Sequence, residues 1–97
     1  MKANTLLRTA ATTLQKRGKD YGTMRENHQR IADIWTVIMQ KEVTPEQVAL
    51  CMAGVKIARL VQSPEHEDSW LDLAGYAAVG AEILEDGQAI DDSGAAC

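Results

Sequence analysis

Two aspartates, Asp68 and Asp72, stand four residues apart in a segment with the periodicity of a helix. At about 100° per residue, both fall on the same side as Tyr76, and that side is otherwise apolar. A carboxylate buried without a partner is costly, so each aspartate needs a cation, a metal ion or a hydrogen-bonding ligand. The pair therefore marks this segment as a candidate site for Mg²⁺ or for a polar ligand.

Three further polar residues interrupt apolar helix faces elsewhere in the chain. Lys56 and Arg59 are i, i+3 neighbours in an apolar segment, and Asn27 lies within another apolar stripe. The simplest explanation is internal, with Lys56 and Arg59 paired to the two aspartates. The alternative is a phosphorylated ligand, because basic groups bind phosphate, acids bind Mg²⁺ or a ribose, and an aromatic ring such as that of Tyr21 stacks on a base. His28 is interpreted as a structural histidine.

The charged residues are distributed unevenly along the chain. Residues 1–30 hold seven basic and two acidic groups, whereas the remainder holds three basic and twelve acidic groups, within a net charge of −4. A basic end on an acidic protein argues against duplex nucleic-acid binding, which needs a broad positive surface. It is compatible with a local phosphate site, to which we assign Arg17.

Four helices are predicted to position these residues, over about 4–17, 25–40, 45–62 and 64–86. Gly18 is expected to end the first helix. Thr44 and Gln47 form a capping-box pattern around Pro45, and Ser63 is expected to cap the fourth helix in the same way. Short connections favour an antiparallel four-helix bundle, an all-α single domain over residues 1–86. The remaining residues, 87–97, are small and acidic, and we predict a disordered tail.

The third predicted helix is apolar nearly all the way round, which is typical of a helix buried on every side. A 97-residue chain cannot easily surround such a helix by itself. The sequence therefore predicts a homo-oligomer in which another subunit completes the bundle. No apolar run approaches the length of a membrane span, and neither cysteine belongs to a disulfide or metal-binding pattern. These features favour a cytoplasmic protein without a membrane partner.

The segments RGKDYGTMRENHQRIADIW, TPEQVALCMAGVKIARL and EDSWLDLAGYAAVGAEIL together resemble a group of short, largely uncharacterised helical proteins encoded by bacteriophages and prophages. The shared features are a Tyr-Gly…Asn segment, a Lys-x-x-Arg helix and an Asp-Ser-x-x-Asp-x-x-x-Tyr helix. The resemblance covers about residues 17–84. It implies that the protein works in the cytoplasm of a bacterial host.

A more distant resemblance is to the all-α nucleoside triphosphate pyrophosphohydrolases of the MazG and dCTP-pyrophosphatase type. Those enzymes are small helical oligomers in which acids on two facing helices hold Mg²⁺ around a triphosphate. The resemblance implies that Asp68, Asp72 and Glu26 are catalytic, with the two aspartates as Mg²⁺ ligands. The spacing departs from the Glu-x-x-Glu and Glu-x-x-Asp pairs of that group, since the two aspartates are four residues apart.

The same resemblance implies roles for the remaining polar residues. Lys56 and Arg59 would neutralise the phosphates, and Asn27 and Tyr21 would contact the base or sugar, while Tyr76 lies one turn beyond the aspartates. The leading hypothesis is thus a MazG-like pyrophosphohydrolase that acts on a nucleotide. The first alternative is a non-catalytic sponge that sequesters a cyclic nucleotide or an ADP-ribose-type immune signal and so counters host defence. The second is an interaction module whose buried charges are purely structural.

Overall fold

The computed structural model describes residues 1–88, which form four α-helices and no strand. The helices are α1 (Ala3–Tyr21), α2 (Met24–Met39), α3 (Pro45–Gln62) and α4 (Glu67–Gln88). This architecture confirms the all-α, four-helix prediction. Of the predicted tail, residues 87 and 88 belong to α4, and residues 89–97 lie outside the described residues.

The start of α3 follows directly from its sequence. The hydroxyl of Thr44 accepts a hydrogen bond from the backbone N–H of Gln47, and the side-chain oxygen of Gln47 accepts one from the N–H of Thr44 at 2.9 Å. Pro45 occupies the first turn, where the missing N–H has no intrahelical partner in any case. The predicted capping box is therefore confirmed, and α3 has the predicted bounds.

The boundaries of α1 and α4 differ from the predicted ones. Helix α1 continues through Gly18 to Tyr21, and the chain turns at Gly22, whose φ of +81° is accessible to a residue without a Cβ atom. At the other boundary, the N–H of Ser63 bonds to the carbonyl of Arg59, so Ser63 terminates α3. A turn follows, in which the N–H of His66 bonds to the carbonyl of Ser63, and α4 begins only at residue 67.

Helix α4 is the central element of the packing. It packs most extensively on α3 and also contacts α1 and α2, whereas α1 and α3 do not contact each other within residues 1–88. A Cβ atom built at Gly80 would lie 3.5 Å from the Cβ of Ala49, so the glycine permits a close approach of α3 and α4. The buried apolar side chains are few and mostly small: Ala10, Ala32, Val48, Ala49, Leu60, Val79 and Ile83.

Helix α3 is not surrounded by the other helices of its own chain. Leu50, Ile57 and Val61 of α3 are all more than half exposed. The four helices of one chain therefore leave part of α3 uncovered, and its predicted burial by another subunit stays a prediction. Within residues 1–88, the structure contains no helix that combines the length and hydrophobicity needed to cross a bilayer.

Candidate functional site

Side chains from all four helices enclose a central cavity of about 300 Å³. Its wall is mainly apolar, with two aromatic rings, Trp35 of α2 and Tyr76 of α4. The polar side chains that line it come from three helices: Thr13 and Arg17 from α1, Asn27 and His28 from α2, and Asp72 from α4. A mostly apolar cavity with a few convergent polar groups is typical of a small-molecule site.

His28 is the most unusual of these residues, because it is only 4% exposed and lacks a partner on one nitrogen. Its Nδ1 lies 2.9 Å from the backbone carbonyl of Met24. Since a carbonyl only accepts hydrogen bonds, Nδ1 carries the hydrogen, and in the neutral ring Nε2 is left with a free lone pair. Nε2 is the one buried side-chain polar atom without a partner in the described part of the chain.

Two ring contacts fix the position of His28. Its ring meets that of Tyr76 edge to face, with centroids 6.5 Å apart and an angle of 64° between the planes. The hydrogen bond to Met24 spans one helical turn and restrains rotation about the side chain. The free nitrogen is therefore part of a rigid cavity wall.

The second polar feature is an ion pair between α3 and α4. Lys56 Nζ lies 2.9 Å from Asp72 Oδ2, and the lysine is buried while the aspartate is only partly so. Asp72 also lines the cavity, whereas Lys56 does not. One half of the predicted internal pairing is thus present, and Lys56 compensates the charge of a carboxylate that a ligand can reach.

Residues 5–84 match the family model described as Domain of unknown function (DUF6378). The chain belongs to the DUF6378 family. The match spans α1 and α4 as well as the two helices between them, so it includes every residue that lines the cavity.

Two phage proteins are similar to this DUF6378 chain. It is 46% identical over 65 residues to the Gene 55 protein of Mycobacterium phage L5, and 39% identical over 71 residues to the Gene 55 protein of Mycobacterium phage D29. The alignments cover 66% and 73% of this chain but only 42% and 47% of the relatives, so the chain spans less than half of their length. No solved structure matches the chain. The resemblance to short phage proteins is confirmed, and the likeness to pyrophosphohydrolases stays a prediction.

The other residues predicted for the site divide into two groups. Asn27, Tyr76 and Arg17 line the cavity of the DUF6378 chain, as expected of ligand contacts. Asp68 and Arg59 are exposed and do not line it. Asp68 was expected on the apolar side of its helix, but α4 begins one residue before it, at an end of the bundle that the core does not cover.

Glu26 and Tyr21 lie at the junction between α1 and α2. Glu26 is exposed and belongs to the N-cap of α2, where its carboxylate accepts a hydrogen bond from the hydroxyl of Thr23 at 3.0 Å. Its backbone N–H donates to the same hydroxyl. Tyr21 is the last residue of α1, and its side chain lies outside the described part of the structure.

The three acids implied as catalytic, Asp68, Asp72 and Glu26, do not form one cluster. In residues 1–88, no group of three or more His, Cys, Asp or Glu side chains lies close enough together to hold a metal ion. Asp72 lines the cavity, while Asp68 and Glu26 are on exposed surfaces at two different helix starts. The donor set present therefore does not fit the two-helix acidic cage that the pyrophosphohydrolase resemblance implies.

His28 is the site residue that the sequence interpretation missed. The sequence offers one signal: His28 directly follows Asn27, and it lies one turn before Ala32, which is fully buried. Helical periodicity places His28 near the core, but it cannot say whether another side chain satisfies both ring nitrogens. Only the packing of α4 against α2 decides that His28 lines the cavity and that its Nε2 is left without a partner.

Proposed function

We propose that this protein binds a nucleotide or a nucleotide-derived small molecule in its central cavity and releases it unchanged. The observation that carries the proposal is the cavity wall, which combines Asp72, Asn27 and two aromatic rings with His28, a residue whose Nε2 is buried without a partner. A buried polar atom without a partner costs about 1–3 kcal/mol. A ligand that donates a hydrogen bond to this atom recovers that free energy.

Two hydrogen-bond acceptors, one on His28 and one on Asp72, determine which hydrogen-bonding groups a ligand needs. In the neutral ring, Nε2 of His28 accepts hydrogen bonds, and the carboxylate of Asp72 only accepts them. The ligand therefore has to offer donors, and the hydroxyls of a ribose or the exocyclic amine of a base are suitable groups. Asn27 both donates and accepts, which suits the heteroatoms of a base.

The remaining lining residues fit the other parts of a nucleotide. The rings of Trp35 and Tyr76 offer apolar faces for a base. Arg17 is exposed at the rim of the cavity and presents a guanidinium group suited to a phosphate. The cavity volume of about 300 Å³ is at the lower end of ligand pockets and favours a mononucleotide over a dinucleotide.

Binding without hydrolysis accounts for the positions of the acids better than MazG-like hydrolysis does. Hydrolysis by the predicted mechanism requires Asp68, Asp72 and Glu26 at one metal ion, and these three side chains lie apart. Lys56 is paired with Asp72, so it does not serve as a phosphate contact. A phage protein that captures a small nucleotide signal, such as a cyclic mononucleotide, would counter host defence, and this is the role we propose.

The proposal is tested by measuring binding to the purified 97-residue chain by calorimetry. The panel contains nucleosides, nucleoside monophosphates, cyclic mononucleotides, nucleoside triphosphates and ADP-ribose, each with Mg²⁺ and with a chelator. We expect one or more mononucleotides to bind in both conditions and to be recovered intact by mass spectrometry after heat release. Release of pyrophosphate from a triphosphate would favour the pyrophosphohydrolase hypothesis, and absence of binding across the panel would favour an interaction module.

A matched pair of variants on α1 localises the binding. Arg17 and Lys16 are adjacent exposed basic residues, but only Arg17 lines the cavity. We expect Arg17→Gln to weaken binding of a phosphorylated ligand and to leave binding of the corresponding nucleoside unchanged. Lys16→Gln makes the same change in net charge and should leave both affinities as they are. Equal effects of the two substitutions would place the phosphate outside this cavity.

A further inference from the structure

The outer side of α3 carries an apolar stripe that no other part of the described chain covers. The stripe consists of Leu50, Gly54, Ile57 and Val61, which fall within about 60° of one another on the helix. Leu50 is 70% exposed, Ile57 51% and Val61 81%, and a Cβ atom built at Gly54 would meet nothing within 4 Å. We call this set the outer stripe. It is separate from the face of α3 that carries Ala49, which approaches Gly80 of α4.

The spacing within the outer stripe is the spacing of a helix-pairing seam. Successive members are four, three and four residues apart, which is the alternation that places apolar side chains along the contact line of two packed helices. A solvated helix face would carry charged residues at these positions. The stripe has none, so its composition is typical of an interface.

The 4-3-4 spacing of the outer stripe is the same in both chain directions, so two copies of the stripe can pair antiparallel with their residues in register. When two copies of α3 are laid antiparallel, Leu50 of one copy lies opposite Val61 of the second copy, and Gly54 lies opposite Ile57. Each large side chain at the centre then faces the recess left by a glycine, as knobs and holes require. The two subunits then use the same surface, the outer stripe, for the contact. Such an interface has a two-fold axis and leaves no stripe free for a third copy, so the assembly is a dimer.

Area and charge favour a second copy over a lipid surface. Helices α2 and α3 contact each other, and α2 adds four exposed apolar side chains: Ile34, Val37, Ile38 and Met39. If the dimer buries them together with the large residues of the outer stripe, the area is of the order of the roughly 800 Å² per partner that a stable dimer buries. A lipid surface would select basic residues around such a patch, whereas the chain after residue 30 has three basic and twelve acidic residues.

We infer that this protein forms a two-fold symmetric dimer in which α3 pairs antiparallel with α3 of a second copy through the outer stripe. The dimer does not depend on the ligand proposed above, because the stripe and the central cavity lie on different sides of α3. It also accounts for the large apolar side chains that α3 leaves exposed in the described chain.

The first test is the mass of the full chain in solution, measured by light scattering and sedimentation over a range of concentrations. We expect a dimer, and a monomer at every concentration would overturn the inference. Ile57→Glu should raise the dimer dissociation constant at least about 30-fold, because it places a charge at the centre of the seam. Leu7→Glu on α1 is the matched control, since Leu7 is 59% exposed but α1 does not contact α3. Equal weakening by the two variants would contradict an interface on α3.

A second variant separates loss of pairing from loss of folding. Gly54→Leu fills the recess of the outer stripe while the folded monomer has free space at this position. We expect Gly54→Leu to raise the dimer dissociation constant at least about tenfold. The thermal unfolding midpoint of the monomer should be no lower than that of the parent chain, because leucine favours the helix more than glycine does. An undisturbed dimer would exclude the knob-and-hole contact at Gly54.

Spin-label distances establish the direction of pairing, with both native cysteines replaced by serine. In the antiparallel dimer, two labels at Gln47→Cys are offset by about 17 residues, or roughly 25 Å along the helices, whereas two labels at Ala58→Cys are offset by less than about 10 Å. A parallel dimer would give short distances at both positions. That result would overturn the antiparallel arrangement.

Discussion

The first turn of α4 and the cavity beside its middle each contain a buried polar side chain, Ser69 in the first and His28 in the second, but only the polar atom of Ser69 is fully accounted for by a partner within the chain. At the helix start, Nδ1 of His66 lies 2.8 Å from the hydroxyl of Ser69, and the indole N–H of Trp70 donates to the carbonyl of Pro64 at 2.8 Å. In the cavity, Nε2 of His28 has no partner. Each region contains one of the two histidines of the chain, so they form an internal comparison.

The comparison teaches that a buried polar residue is not by itself a sign of function. Ser69 is 1% exposed and therefore more deeply buried than His28, yet its hydroxyl is hydrogen-bonded within its own helix turn. Polar groups that are satisfied within the chain stabilise the fold. The nitrogen of His28, a residue that lines the cavity, is the buried side-chain polar atom of the described chain that still lacks a hydrogen-bond partner.

The largest effect is expected from breaking the ion pair at the edge of the cavity. Asp72→Leu leaves Lys56 buried without a counter-charge and should lower the free energy of unfolding by about 3 kcal/mol. Adding Lys56→Met should restore most of this loss, because an apolar pair of similar volume replaces the ion pair. The measurement is urea denaturation, with Asp68→Leu at the exposed end of α4 as the control. A loss no larger than that of the control would show that the pair contributes little.

The same double variant also separates the functional hypotheses. Lys56→Met with Asp72→Leu removes the carboxylate from the cavity while leaving the fold intact, so ligand binding should be lost. If the protein were a plain interaction module, the double variant would retain its function.

The next effect concerns the two histidines and is measured by ligand affinity. His28→Phe keeps an aromatic ring against Tyr76 but removes the lone pair in the cavity, and we expect at least a tenfold loss of affinity, or about 1.4 kcal/mol. The free energy of unfolding without ligand should stay the same or rise by about 1 kcal/mol, because no buried acceptor is left unpaired. His66→Phe should not change the affinity. Equal affinities for the two variants would refute a ligand contact at His28.

A smaller effect is expected at the satisfied end of α4. Ser69→Ala removes the hydroxyl that His66 contacts and should lower the free energy of unfolding by about 1 kcal/mol. The ligand affinity should be unchanged, because Ser69 does not line the cavity. Denaturation and calorimetry on the same sample distinguish the two quantities. If Ser69→Ala lowered the ligand affinity but not the free energy of unfolding, Ser69 would act in ligand binding and not in stabilising the fold.

The smallest effect is expected at Trp70, whose side chain is about half exposed. Trp70→Phe removes the hydrogen bond to the carbonyl of Pro64, and water can replace the lost donor at this surface. The free energy of unfolding should therefore change by no more than about 0.5 kcal/mol. A change of several times that size would mean that the turn before α4 depends on this contact.

The fold was predictable from the sequence where local interactions decide it. The capping box at Thr44 involves only residues within four positions of one another, so the pattern alone specifies the start of α3. The prediction that Ser63 caps α4 was wrong, because the backbone N–H of Ser63 bonds to the carbonyl of Arg59 and the residue ends α3 instead. Gly18 was expected to end α1, but the helix continues through it to Tyr21. The glycine with a positive φ, where the chain turns, is Gly22.

The candidate site was only partly predictable, since helical periodicity gives the direction of a side chain but not what it meets. Asn27, Asp72 and Arg17, which the sequence suggested as ligand contacts or metal ligands, line the cavity, and their roles stay predictions. Asp68 lies within about 40° of Asp72 around the helix, yet it is one turn nearer the start of α4 and is exposed. The lack of a partner for Nε2 of His28 depends on the packing of several helices and cannot be inferred from the local sequence.

The position of α1 has a kinetic consequence. This helix supplies one wall of the cavity, including the rim residue Arg17, but it packs mainly on α4 and touches α2 only lightly. Among the described helices, α1 therefore has the fewest contacts to lose when part of the fold opens locally. We expect its backbone amides to exchange with deuterium faster than those of α3 and α4. The free energy of detaching α1 would then set how fast a ligand exchanges, however tightly the cavity holds it.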